Sequence, residues 1–481
     1  MGEPLKFHLI TDLHHYAASL GTTGSAYEWR SQSDQKCLAE TGAIIDAAVD
    51  WLLQSEIDII LVAGDVSCDG EKESHLELIP KLNRLREAGK RVILITATHD
   101  YSETPIRCVG NERLPATPTT REELLELYHD FGLNEAIAFH AETHSYAVQL
   151  APGWRMLALN DDGDGRAFCG YSEDQLHWIL DQVKLAHEAG DEVLAMTHHP
   201  VLPPSPIYPL FSRRDMLGDF EHTSTVLADA GVQFIFTGHT HMQNIAVKTT
   251  EKGNTIYDIN TSALIGYASA IRTVAVYDDR MEVTSDHIDH FDWDLHGMTV
   301  DEYFKSVFDR LLNDIFDSMA FDIERLSRLA GGFSVEAETI LKLRVPLTLA
   351  GRALHKLTVG QLARLLCISR DISPEVKPIL LKDLFVEVVR NIYRGDEPYT
   401  PDTPVYQAIK RIMERISPLV RRMKNSEEIF KMMNVILACC MTRRRRIMTR
   451  YCREWHGNNN KKELMREHCK TAPMQKQTVK R

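Results

Sequence analysis

The chain has 481 residues, of which 44% are hydrophobic and 26% charged, with a formal net charge of −13. That length exceeds one ordinary core and that apolar content excludes wholesale disorder, so two or three globular domains are expected. Nine cysteines, odd in number and without C-x-x-C spacing, suit reduced thiols better than a disulfide framework.

Met1 to Lys6 is polar, and the apolar run from Phe7 to Thr11 is far shorter than a signal core. The longest apolar stretch, Met432 to Met441, is about half of a membrane span. The expectation is a cytoplasmic protein with no membrane span.

Up to about residue 285, short β-rich runs alternate with helical patterns, which predicts an α/β architecture. Strands are expected at 7–11, 57–63, 91–97, 154–160, 193–197 and 232–237. The best-formed helix starts at Ser172, which with Gln175 reads as a capping box, and sets Leu176, Ile179, Leu180 and Val183 on one face. "DDGDG" at 161–165 has the flavour of a calcium loop but lacks its distal Glu, and reads as a turn near a cleft mouth. After residue 240 four shorter strands follow, at 244–249, 256–260, 273–278 and 281–285, read as a second sheet packed against the first. "DHIDHFDWDLH", residues 286–296, reads as a solvated acidic linker.

From Thr299 the pattern turns helical. Phe304, Val307, Phe308, Leu311, Leu312 and Ile315 recur at helical spacing, and amphipathic stretches return at 376–394, 404–423 and 426–455. Residues 442–481 carry 13 Lys or Arg against 3 Glu, a basic end on an acidic body. The expected domains are therefore 1–290, an all-α region at 298–455, and a basic, disordered tail at 456–481.

Chemistry gathers at the strand ends. Successive strands finish in "TDLHH", "AGDVSCDG", "ATHD", "THHP" and "TGHTH". The carboxyl ends of strands in an open α/β sheet are where ligands bind, so these five segments predict one site. Any single Asp or His here would ordinarily be a turn former or a hydrogen-bonded surface residue. Together, Asp12, His14, Asp65, His198, His239 and His241 offer two carboxylates and four imidazoles. That is too many for one open zinc site and suits two bridged ions, with mixed nitrogen and oxygen donors favouring Mn, Fe or Zn.

The order D-x-H, G-D, x-H-D, H-x-P, G-H-x-H, running from residue 7 to about 245, resembles the calcineurin-like metallophosphoesterase superfamily. "GDVSCDGEKESH" looks like the version in its bacterial phosphodiesterase-like members. The resemblance implies a four-layer αββα sandwich, here followed by an all-α C-terminal domain. It implies that Asp12, His14 and His241 hold one metal, that Asp65 bridges, and that His198 and His239 hold the second, with His199 the alternative to His198. At the family's G-N-H-D position this chain has Ala97, Thr98, His99 and Asp100. His99 would then protonate the leaving group with Asp100 orienting its ring, and Thr98 would stand in the metal shell as a shorter, poorer ligand than Asn.

The implied activity is a binuclear hydrolase of phosphate esters, with two divalent or mixed-valence Mn, Fe or Zn ions and a shared hydroxide as nucleophile, acting as a phosphodiesterase. A metal-dependent nuclease using the basic tail, a phosphomonoesterase, and a catalytically weak scaffold on the same fold are the alternatives. The expected partner is a small phosphate ester, with nucleic acid less favoured, and the helical domain offers a surface for a homo-oligomer.

Overall fold

The structure is a computed structural model and describes residues 3–163, 169–206, 208–211, 213–329, 337–395, 401–420 and 476–480. Among the described residues the strands are, in chain order, β1 (Leu5–Ile10), β2 (Ile59–Ala63), β3 (Arg91–Ile95), β4 (Ile106–Val109), β5 (Glu112–Pro115), β6 (Ala138–His140), β7 (Ser145–Ala151), β8 (Trp154–Ala158), β9 (Glu192–Met196), β10 (Phe234–Thr237), β11 (Asn244–Thr249), β12 (Thr255–Asn260), β13 (Ile271–Val276), β14 (Arg280–Asp286) and β15 (Lys476–Lys480). One sheet runs β15-β14-β13-β1-β2-β3 and the other β11-β12-β10-β9-β8-β7-β6, with β4 and β5 a separate hairpin. β1, β2 and β3 are mutually parallel, as are β8, β9, β10 and β12.

Period-two alternation builds the layers. Leu61, Ala63, Ile93 and Ile95 point between the sheets, where they meet Met156, Leu194, Phe234 and Phe236 of the other sheet. Their neighbours Ile60, Val62, Val92 and Leu94 point outward, against Ile44, Ala48 and Leu52 of the helix Thr41–Gln54 and Leu78 and Leu82 of the helix Lys72–Glu87. On the far side, Leu157, Val193 and Ile235 pack on Ile179, Val183 and Leu227 of the helices Glu173–Glu188 and Phe220–Ala230. These three apolar interfaces define four layers, αββα. Strands buried on both faces explain why the sequence shows continuous apolar runs there.

The expected strands all form, but the four after residue 240 do not make a sheet of their own. β11 and β12 join β10, while β13 returns to pair antiparallel with β1 and carries β14 with it. Register decides this: β12 lies parallel to β10 from Phe234↔Tyr257 to Thr237↔Asn260 and so extends an existing sheet. At the helix Glu173–Glu188, Ser172 accepts from Gln175 N at 3.1 Å, but the Gln175 amide does not reach back. It donates instead to Ser145 Oγ and to the carbonyl of Asn160, at 3.0 and 2.6 Å.

The helix Val300–Phe321 opens on a complete capping box between Thr299 and Glu302. Its Val300, Phe304, Val307 and Phe308 pack into the same apolar cluster as the helices over the first sheet. Farther along, Val359, Ala363, Val376, Leu384 and Ala408 form a cluster of their own. Among the described residues, no helix is long and apolar enough to cross a membrane. The stretch expected to be helical at 426–455 lies outside the described residues. Within the segment read as a disordered tail, Lys476–Lys480 forms β15, antiparallel to β14.

Candidate metal centre

Five strands, three from one sheet and two from the other, end around one point. Beyond β1 and β2 the two chains stay side by side, with Asp12 N donating to Gly64 O at 3.1 Å and His14 N to Asp65 O at 2.9 Å. That pairing sets the carboxylates of Asp12 and Asp65 next to each other. Thr11 Oγ1 and the backbone N–H of His239 both donate to Asp12 Oδ2, at 2.8 and 3.0 Å. Asp12 Oδ1 is left buried without a hydrogen-bond partner.

That oxygen lies 3.5 Å from His14 Nε2 and 3.3 Å from His241 Nε2, and the two nitrogens are 3.1 Å apart. Donors about 2.0–2.1 Å from a common tetrahedral ion sit about 3.4 Å from one another, so this triangle has the size of a ligand set. A second group forms alongside. Asp65 Oδ1 accepts from His99 N at 3.0 Å, while Oδ2 lies 3.0 Å from His198 Nε2 and 3.7 Å from His14 Nε2. In each of the groups Asp12, His14, His241 and Asp65, His198, His239 the donor atoms lie within 4.8 Å of one another. Each group draws on both sheets.

The residues fit a pair of cations on electrostatic grounds as well. Burial pushes the Asp12 and Asp65 carboxyls up, yet the adjoining imidazoles outweigh it and hold both well below the usual carboxylate range. His14 is lowered to about 4, first by burial and then by the Lys36 ammonium. His239 is held well below its usual value by burial and by the rings of His199 and His198. His14 and His239 are thus kept neutral, the state in which an imidazole can ligate, whereas at His198 burial is outweighed by the Asp65 carboxylate, which raises the ring to about 9 and marks where a cation would take the place of a proton.

His198, rather than His199, points into the second group. His198 Nδ1 donates to the carbonyl of Ala63 at 2.7 Å, which leaves Nε2 facing Asp65. His199 turns away, with Nδ1 2.9 Å from Asp161 Oδ1. Asp161 is a residue that sequence reading passes over as part of a turn. It is fully buried and accepts from Thr197 Oγ1 and from the backbone N–H groups of His198 and His199. Asn260 does the same for the other loop, accepting from Thr240 Oγ1 at 2.6 Å and donating to Gly238 O at 2.7 Å. Neither has a sequence signal beyond being a polar residue at a strand end.

The pair at the end of β3 is arranged otherwise than expected. Asp100 is buried with Oδ1 accepting from Ser67 N and Oδ2 from Ala97 N, both at 2.8 Å. Burial, then the charge of Asp65, pushes its carboxyl up to about 8. His99 is oriented instead by the carbonyl of Cys68, 2.9 Å from Nδ1, with Asp69 Oδ1 at 3.7 Å. Adjacent side chains leave the backbone in different directions, so the Asp closes the loop while the His faces the centre, its ring 5.0 Å from that of His14. Thr98, which precedes them, is buried.

Backbone conformation singles out the same residues. Asp12, His14, Asp65, His239 and His241 all have positive φ, between 35° and 65°. This region is costly for residues other than glycine, and its concentration on five of six donors marks a place where side-chain direction overrides backbone preference.

A family model of the calcineurin-like phosphoesterases matches residues 5–243. Residues 5–243 belong to that family. The calcineurin-like match spans the five strand ends that carry the six donors. Among solved structures, the chain is similar to a dimetal phosphatase from Danio rerio, at 17% identity, TM-score 0.44, covering 62% of this chain and 99% of that one. It is also similar to purple acid phosphatase PPD1 from yellow lupin seeds, at 11% identity and TM-score 0.37, covering 60% and 52%. A 5′-nucleotidase precursor from Thermus thermophilus follows at 13% identity and TM-score 0.36, covering 75% and 63%. No curated protein matches.

Proposed function

We propose that the protein is a two-metal phosphodiesterase, in which Asp12, His14 and His241 hold one ion, Asp65, His198 and His239 the other, and Asp65 stands between them. The single observation that carries this is the convergence of two three-donor groups at five adjacent strand ends. When bound, a pair of Mn, Fe or Zn ions supplies Lewis-acid stabilisation of the phosphoryl oxygens and lowers the pKa of water.

The chain's own residues do the rest. Cys68 O accepts from the His99 Nδ1–H and fixes the ring, which leaves Nε2 as the atom through which the protonated ring would serve the departing alkoxide. Asp100 keeps the loops after β2 and β3 together through Ser67 and Ala97. Thr98, in place of the family's Asn, would offer the second metal a shorter and poorer ligand. Free Cys37, Cys68 and Cys108 support a reducing, cytoplasmic setting.

The choice of diester over monoester follows from the likeness of "GDVSCDGE" to the phosphodiesterase-like version of the motif. Turnover of bis-(p-nitrophenyl) phosphate and mono-(p-nitrophenyl) phosphate, each with added Mn²⁺, tests it. Faster diester hydrolysis is expected. Faster monoester hydrolysis would replace the diester reading, and no turnover of either would replace the enzyme with a scaffold.

A further inference from the structure

The loop bearing His239 and His241 is gripped from two sides. Asn260 holds it from within the sheet. From outside, Gln243 N donates to the carbonyl of Tyr393 at 2.9 Å, on the last turn of the helix Leu381–Arg394. Gly395 follows with φ 72°, and a Cβ there would come within 2.4 Å of the Gln243 carbonyl, so the two backbones touch. The Tyr208 side chain neighbours both the Tyr393 and the Thr240 side chains, and Thr240 sits between the two histidines in the chain. The Tyr393 ring is in turn seated 4.8 Å from Phe308 of the helix Val300–Phe321.

We infer that Tyr393 is a positioning residue and that the helical region is an outer clamp on the ligand loop, so that its docking sets how tightly the metals are held. The inference rests on the reading of the six side chains as metal ligands. Bonds of about 2 Å tolerate little displacement of His239 or His241, and loss of an outer-shell support typically weakens binding about 10- to 100-fold.

Mn²⁺ titration of the full chain tests this by calorimetry, comparing wild type with Gly395→Ala, Tyr393→Phe and the control Ala363→Gly. Ala363 packs with Val359, Val376 and Leu384, at the opposite end of the helix Leu381–Arg394 from Tyr393. Wild type should bind two ions; no binding would sink the ligand reading and the clamp with it. Given two ions, affinity about tenfold or more weaker in Gly395→Ala, and weaker by less in Tyr393→Phe, is expected, with Ala363→Gly losing thermal stability but not affinity. A folded Gly395→Ala with wild-type affinity overturns the clamp. Should that variant not fold, unchanged affinity in Tyr393→Phe overturns it, as does equal weakening in Ala363→Gly.

Discussion

His14 and His241, 227 positions apart in the chain, meet Nε2 to Nε2 at 3.1 Å inside the protein. Both nitrogens also face Asp12 Oδ1, so one cation would satisfy three lone pairs that no single shared proton can. Metal analysis by mass spectrometry should find two Mn per wild-type chain and one in His241→Ala. Turnover in that variant should fall about 10²-fold or more, since it removes several kcal/mol of transition-state charge stabilisation. Two tightly held ions in His241→Ala would contradict the assignment.

His99 is expected to matter in proportion to how badly the leaving group needs a proton. General acid catalysis is typically worth about 10²–10⁴-fold, and an alkoxide requires it far more than p-nitrophenolate does. His99→Gln should therefore lose most of its rate on an alkyl ester and little on a p-nitrophenyl ester. An equal loss on both substrates would point to a structural role. Asp100→Asn, by contrast, should lower the melting temperature, because one of the backbone N–H groups from Ser67 and Ala97 would lose its acceptor.

Gly238 approaches the centre too closely for any side chain. A Cβ there would lie 2.1 Å from Thr11 Oγ1 and 2.5 Å from Asp12 Oδ2. Gly238→Ala should fold, yet bind Mn²⁺ at least about tenfold more weakly by displacing Asp12. Circular dichroism alongside calorimetry would check both halves; wild-type affinity would show that the loop yields instead.

Two buried histidines outside the centre set an acid limit on stability. His8 and His75 are both lowered from 6.5 to about 4, in each case chiefly by burial. Between those values the unfolded chain binds the additional protons, so stability is fully present above pH 6.5 and falls as pH drops towards 4. His8→Gln should flatten that fall by up to a few kcal/mol, read from urea midpoints at pH 4.5 and 7. Parallel curves for wild type and variant would refute this.

Thr98→Asn is expected to tighten the second ion, since an amide oxygen reaches about one bond farther than a hydroxyl and ligates better. Two equally tight sites in the unchanged chain would make the substitution neutral.

Residue type at strand ends made most of the donors legible. Asp12, His14, Asp65, His198, His239 and His241 each follow an apolar run that cannot itself use a charged or imidazole side chain. The sheets' membership was less legible, because β12 and β13 look alike in sequence and only pairing with β10 or β1 separates them. Sequence adjacency misled at His99 and Asp100, whose neighbouring positions suggested a pair that the backbone directs apart. The grip of Tyr393 on Gln243 had no local signal at all, since it joins segments 150 positions distant through main-chain atoms.

Each donor group takes ligands from both sheets, Asp12 and His14 with His241, and Asp65 with His198 and His239. An ion in either would thus work as a rivet, tying the two halves of the sandwich at one rim as a crosslink would. Separation of the halves and release of the ions would then be the same event, so that bound metals would guard the fold's lifetime, and a chelator would promote unfolding as well as inhibition.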